Sequence, residues 1–165
     1  MHLHLGFDAT GLNNLPIHTI WVNEWEKGIT AERNIVVFSI PSVLDPKMSP
    51  QGKHVLHGYT PANESWEKWA RLNQNSNDYK QLKEESCSIF FTPLKKIIPD
   101  IEKRIEIKLL GTPLSHKQYT NTHCGSYGPA ISANNNLFPG CKTPIKNLFT
   151  CGASTFPGIG VPAVA

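Results

Sequence analysis

The hydrophobic period of this 165-residue chain changes after its first sixty residues, and that change restricts the fold more than any single motif. Over the first sixty residues, apolar positions recur in short runs: His2 to Phe7, His18 to Asn23, Asn34 to Ser42 and Lys53 to Tyr59. Asp8-Ala9-Thr10-Gly11, Lys27-Gly28-Ile29-Thr30 and the stretch from Asp45-Pro46 to Gly52 separate them. Short runs punctuated by Gly, Pro and Asp read as antiparallel strands in a meander-like sheet. From Glu64 the spacing becomes three and four. Trp66 and Trp69 share one face of a short helix over Glu64 to Leu72. Asn77 to Ile98 puts Tyr79, Leu82, Ile89, Phe90, Leu94, Ile97 and Ile98 on one helical stripe. Pro93 removes one helical hydrogen bond, which predicts a kink, and Pro99 ends the helix. Arg104 to Leu110 reads as a strand closed by Gly111-Thr112-Pro113, and Ser115 to His123 as a short helix. The expected class is α+β or α/β: a mixed, largely antiparallel sheet with covering helices.

Composition excludes several function classes. A hydrophobic share of 39% with 18% charged residues suits a folded domain with a real core. The net charge of +3 comes from 16 basic and 13 acidic residues without large blocks, so neither nucleic acid nor an anionic membrane is demanded as partner. No apolar run approaches the ~20 residues of a transmembrane helix. Met1-His2-Leu3-His4-Leu5-Gly6 lacks the basic and apolar regions of a signal peptide and resembles the middle of a strand. Cys87, Cys124, Cys141 and Cys151 form no Cys-x-x-Cys pair, which points to reduced thiols in a non-secretory setting and gives no zinc spacing. Asn63-Glu64-Ser65 matches a glycosylation sequon, but Glu64 and Glu67 after it favour a helix cap at Asn63.

Few residues suggest chemistry by spacing alone. His2 and His4 share one strand face, but no further ligand is evident nearby, and His54 and His57 point to opposite faces of their own strand. Ring stacking or sheet packing is therefore preferred to metal binding, and no metal is expected. Gly152-Ala153-Ser154-Thr155-Phe156 is not a nucleophile elbow, and Cys151 reads as a small buried hydrophobe. Trp21, Trp25, Phe38, Tyr59, Trp66 and Trp69 suit either the core or the lining of a long apolar pocket. The segment from Cys124 to Pro144 is a long Gly-, Asn- and Pro-rich loop, a length often tied to function. Asn147 to Cys151 then reads as a short buried strand. Pro157-Gly158 reads as a turn, Gly158 and Gly160 allow backbone to approach a ligand, and Pro162 opens a helix. Such a helix N-terminus favours an electron-rich group, although an ordinary strand-turn-helix junction has the same pattern.

The run Gly125-Ser126-Tyr127-Gly128-Pro129-Ala130-Ile131, then Leu137-Phe138-Pro139-Gly140, Thr143-Pro144-Ile145 and Leu148 through Ala165, resembles the C-terminal part of carotenoid isomerases. These belong to the phytoene-desaturase type of FAD-dependent oxidoreductases. His2-Leu3-His4-Leu5-Gly6-Phe7-Asp8, Ile40 to Pro46, His57-Gly58-Tyr59-Thr60-Pro61 and Gly111-Thr112-Pro113-Leu114 extend the resemblance over essentially the whole chain. It implies the later part of a substrate-binding domain over 1–140, with a connecting loop near 124–144. The last segment, 141–165, would be the return strand-turn-helix of a Rossmann-type FAD domain. The family's Gly-x-Gly-x-x-Gly turn for the FAD pyrophosphate has no match here, so the chain corresponds to a C-terminal fragment expected to bind FAD poorly and to be inactive alone. By the same resemblance Gly152, Ala153 and Ser154 lie near the ribityl and pyrophosphate, and Gly158, Ile159, Gly160 and Val161 lie against the isoalloxazine. Many members carry Asp where this chain has Ala153, which removes one carboxylate contact. The implied reaction is isomerisation of poly-cis lycopene to all-trans lycopene with reduced FAD, with peripheral contact to the membrane that dissolves the carotenoid. The implied setting is a membrane-associated one, on the cytoplasmic side or in a plastid. No residue is assigned as catalytic acid or base. A related desaturase or retinol-saturase-type enzyme, and a non-catalytic lipid-binding remnant, are the alternatives.

Overall fold

The computed structural model describes residues 1–61, 64–126, 140–152 and 155. They fall in two compact units, Met1–Gly125 and Ser126–Ala165. The first unit is built on a five-stranded sheet of β1 (His2–Asp8), β2 (His18–Val22), β3 (Ile35–Ser39), β4 (Lys53–Tyr59) and β5 (Ile105–Gly111). The spatial order is β2-β3-β4-β1-β5, and every neighbouring pair is antiparallel. The expected mixed, largely antiparallel sheet with covering helices is present, but it is not a simple meander. Strands β2, β3 and β4 follow one another, whereas β1 sits between β4 and β5. The physical reason is the inward face of β1: Leu3, Leu5 and Phe7 are fully or nearly fully buried, which a central strand allows and an edge strand does not.

Among the described residues, four α-helices accompany the sheet: α1 (Glu67–Ala70), α2 (Asn77–Ile97), α3 (Ile101–Arg104) and α4 (Pro113–Thr120). Ser76 caps α2, its hydroxyl accepting from the Tyr79 amide at 3.2 Å, and α2 continues through Pro93 to Ile97. Its apolar stripe, with Tyr79, Cys87, Phe90 and Leu94, joins Leu3, Leu5, Phe7, Val36, Phe38 and Leu56 in one core. Phe90 meets Phe38 edge-on at 6.2 Å, and Trp69 meets Tyr79 edge-on at 6.0 Å. Gly58 lets this contact form, because a Cβ there would stand 3.0 Å from the Phe38 ring.

Several boundaries differ from the sequence reading, each for a local reason. Asn34 does not begin β3. Its side chain instead holds the β2–β3 turn, donating to the Glu24 carbonyl at 2.7 Å and the Gly28 carbonyl at 2.8 Å and accepting from the Glu24 amide. Glu64 lies outside helix α1, which is confined to Glu67–Ala70, and pairs with Arg33 at 3.4 Å. The cap expected at Asn63 lies outside the described residues. Helix α4 starts before Ser115, because Thr112 and Ser115 form a reciprocal capping box and Pro113 takes the first position. The expected strand from Asn147 to Cys151 is absent among the described residues. An isolated antiparallel bridge joins Lys142 and Phe149, and Cys151 is exposed rather than buried because no strand among the described residues pairs with it.

Candidate functional site

The strand period separates two faces of the sheet. Leu3, Leu5 and Phe7 turn into the core, so His2, His4, Gly6 and Asp8 turn outward. In β4 the inward residues are Leu56 and Gly58, which turns His57 and Tyr59 outward. Antiparallel pairing sets His4 directly opposite His57 and His2 opposite Tyr59. Side chains opposed in this way share a face. The sequence reading left His57 apart from His2 and His4; the β1–β4 register brings them together. The signal was present in the pairing of the two alternations: matching inward Leu5 with Leu56 forces His4 onto His57.

The rings form an ordered stack. His4 and His57 lie 4.6 Å apart at 10°, and His2 and His57 lie 5.1 Å apart at 15°. Tyr59 extends the row, 5.4 Å from His57. His2 Nδ1 and His57 Nε2 are 2.8 Å apart, a distance at which one ring must donate and the other accept. From α4, His116 reaches the His2 ring at 4.5 Å. The capping box fixes where α4 begins, and the buried Thr112 hydroxyl also bonds the Tyr79 hydroxyl at 3.0 Å. Gly111, opposite His2, leaves room for both rings, since a Cβ there would sit 3.4 Å from His2 Cβ.

Electrostatics keep His2, His57 and His116 neutral at physiological pH. Burial, then the neighbouring His116, pulls the His2 pKa down to about 3. Burial is also the leading cause that lowers His57, with His4 second, and it lowers His116. Neutral imidazoles offer N–H donors, lone pairs and flat apolar rings rather than positive charge.

Apolar side chains flank the rings on the same face. Ile107 pairs with Gly6 and Leu109 with His4, and they are 58% and 62% exposed. On the other side Val37 opposes Tyr59, and Ile20, 70% exposed, opposes Val37. An exposed apolar sheet face of this extent marks a surface that meets something else. His54 turns to the opposite face, as its spacing from His57 predicts, and bonds Ser42 at 2.9 Å. Among the aromatics, Phe38 and Trp69 are core, Trp25 is exposed, and Tyr59 belongs to the ring stack. All four cysteines are free thiols, and burial raises the Cys87 pKa to about 11.

Of the residues expected to face a flavin, Gly152 is described. Its φ of +120° is one that side-chain-bearing residues rarely adopt, and the space where a Cβ would stand is open. The Thr155 amide donates to the Gly152 carbonyl at 3.0 Å. Ala153, Ser154, Gly158, Ile159, Gly160 and Val161 lie outside the described residues.

No family model matches the chain. Individual relatives do. The chain is 34% identical to a chloroplastic prolycopene isomerase of Daucus carota, over 90% of this chain and 24% of that protein. It is 35% identical to an all-trans-retinol 13,14-reductase of Danio rerio, over 74% of this chain and 22% of that protein. A 4,4'-diapophytoene desaturase of Staphylococcus aureus matches 98% of this chain at 25% identity, and 34% of that protein. The chain belongs to the carotenoid isomerase and desaturase family. It spans about a quarter of the length of the isomerases it matches.

Proposed function

We propose that this chain is a substrate-domain portion of an FAD-dependent carotenoid cis-trans isomerase that converts poly-cis lycopene to all-trans lycopene. One observation carries the reading. The sheet is covered on one face by α2, while its other face presents a ring stack between exposed Ile20, Ile107 and Leu109. A rigid apolar polyene needs an apolar surface, and flat rings flanked by exposed aliphatic side chains supply one. Neutral His2 and His57 suit it, because a charged face would resist desolvation by the hydrocarbon.

The described residues fit FAD at one point, Gly152, whose positive φ and open Cβ position allow backbone to approach a ligand closely. In this reading Gly152, Ala153 and Ser154 hold the ribityl and pyrophosphate, and Gly158, Ile159, Gly160 and Val161 hold the isoalloxazine. Reduced FAD, when bound, supplies the transient electron or proton donation that lowers double-bond order in the polyene. This chain's residues bind and orient the substrate and exclude water from it. The domain division 1–140 and 141–165, a Rossmann-type return segment, peripheral membrane contact and a plastid setting belong to the same proposal. The chloroplastic isomerases among the relatives support the last of these.

A chimera tests the reaction. The matched segment of the carrot isomerase is replaced by this chain and the purified, flavin-loaded chimera is given poly-cis lycopene. All-trans lycopene at unchanged oxidation level supports isomerisation. A product with added or removed hydrogen assigns the segment to a reductase or desaturase instead. A folded, flavin-loaded chimera with no product contradicts the proposal.

A further inference from the structure

We propose that His2, His4 and His57 form a binding site for one borderline divalent transition-metal ion, with zinc as its representative. The three side chains come from adjacent antiparallel strands, and one ligand nitrogen from each lies within 4.8 Å of the other two. Imidazole nitrogen is a preferred ligand of zinc, copper and nickel, whereas magnesium and calcium demand oxygen. The sheet supplies the rigidity that a loop would lack: His4 and His57 are register partners, and their backbones are fixed by the β1–β4 ladder.

The closest pair shows how the ion would enter. His2 Nδ1 and His57 Nε2, 2.8 Å apart, share one proton. Two nitrogens bound to one tetrahedral zinc at about 2.05 Å each stand about 3.3 Å apart, so the pair opens by roughly half an ångström. The shared proton moves to the second nitrogen of the ring that carries it, and both lone pairs turn to the metal. His4 is exposed and reaches the ion by side-chain rotation. Three protein nitrogens leave a fourth position open towards the outward face, the arrangement of a zinc that takes water or an external ligand. His116, whose ring lies 4.5 Å from that of His2 at a tilt of 36°, packs against the His2 ring and restricts its orientation.

The test is zinc titration of the chain against a chromophoric chelator. Cys124, Cys141 and Cys151 are first changed to Ser, so that thiolates do not compete. One equivalent of zinc per chain with micromolar or tighter affinity is expected. His57→Ala and, separately, His4→Ala should each weaken it at least tenfold, while His18→Ala leaves it unchanged. The cobalt-substituted protein should show a visible ligand-field band without a sulfur charge-transfer band. Far-ultraviolet circular dichroism identifies any variant that has lost the sheet, and the exposed His4 position keeps the test decisive if His57→Ala unfolds. Absence of zinc binding by the parent chain, or equal affinity in the folded His4→Ala variant, would overturn the site. Either result leaves the isomerase reading intact, which the chimera tests separately; a bound zinc ion and a polyene would compete for the same outer face.

Discussion

The two faces of one sheet behave as different materials. On the inner face Leu3, Phe7, Val36 and Phe38 are almost fully buried against α2. The outer face of the same sheet carries histidine rings and exposed Ile20, Ile107 and Leu109. The chain spends its packing on one side and leaves the other smooth and uncharged at its centre. An apolar face without a cover is a liability in isolation and a reason for existing in a larger enzyme. The contrast can be broken by substitution on the two sides of the sheet.

The largest effect is expected in the inner face. Phe90→Ala removes the ring that meets Phe38 and leaves a cavity, at a cost of about 3–5 kcal/mol in chemical denaturation. Leu109→Ala on the outer face should move stability by no more than about 0.5 kcal/mol. Comparable losses at the two positions would mean that the outer face is packed. A glycine pair sharpens the same point. Gly58→Ala drives a Cβ to 3.0 Å from the Phe38 ring, an overpacking cost of about 1–3 kcal/mol. Gly6→Ala meets only Ile107 at 3.5 Å, an ordinary contact, and thermal unfolding should show it near neutral.

A smaller change is expected where α2 is tied to the start of α4. Tyr79→Phe deletes the bond to the Thr112 hydroxyl and should cost about 1 kcal/mol, read from denaturant midpoints. The outer face contributes a slope rather than a step. His2, His57 and His116 have pKa values lowered below that of unfolded histidine, so the unfolded chain binds more protons as pH falls below about 6.5. Their contribution to stability is complete above that pH and is lost progressively towards the folded His2 value of about 3. Melting temperature should therefore fall between pH 7 and pH 4, and less steeply in His57→Phe. An unchanged slope would show that the stack takes up protons as freely as solvent-exposed histidine.

Much of this contrast was legible in the residues. The alternation of β1 and β4 and the stripe of α2 mark the inner face, because burial follows a period that local spacing displays. The outer site was not legible, because it depends on register between strands separated by some fifty residues, His4 opposite His57. Strand-like neighbours place Asn34 in β3 by sequence, whereas its amide satisfies turn carbonyls that spacing does not reveal. Cys151 was read as buried on the strength of the apolar run around it, but without a partner strand that run stays exposed. Of the flavin-facing set, Gly152 has a φ of +120°, and its place beside a flavin, like that of the other six positions, rests on resemblance.

The central claim is that the outer face receives the polyene. The measurement that tests it most directly is induced circular dichroism in the visible band of poly-cis lycopene, titrated from detergent micelles into the chain. A carotenoid fixed on a chiral surface gains a signal that it lacks in micelles. The account predicts a saturable signal at one carotenoid per chain, abolished by Leu109→Asp and unchanged by Ser88→Asp on the exposed side of α2. A signal that fails to appear, or that survives intact in a folded Leu109→Asp variant, would contradict it.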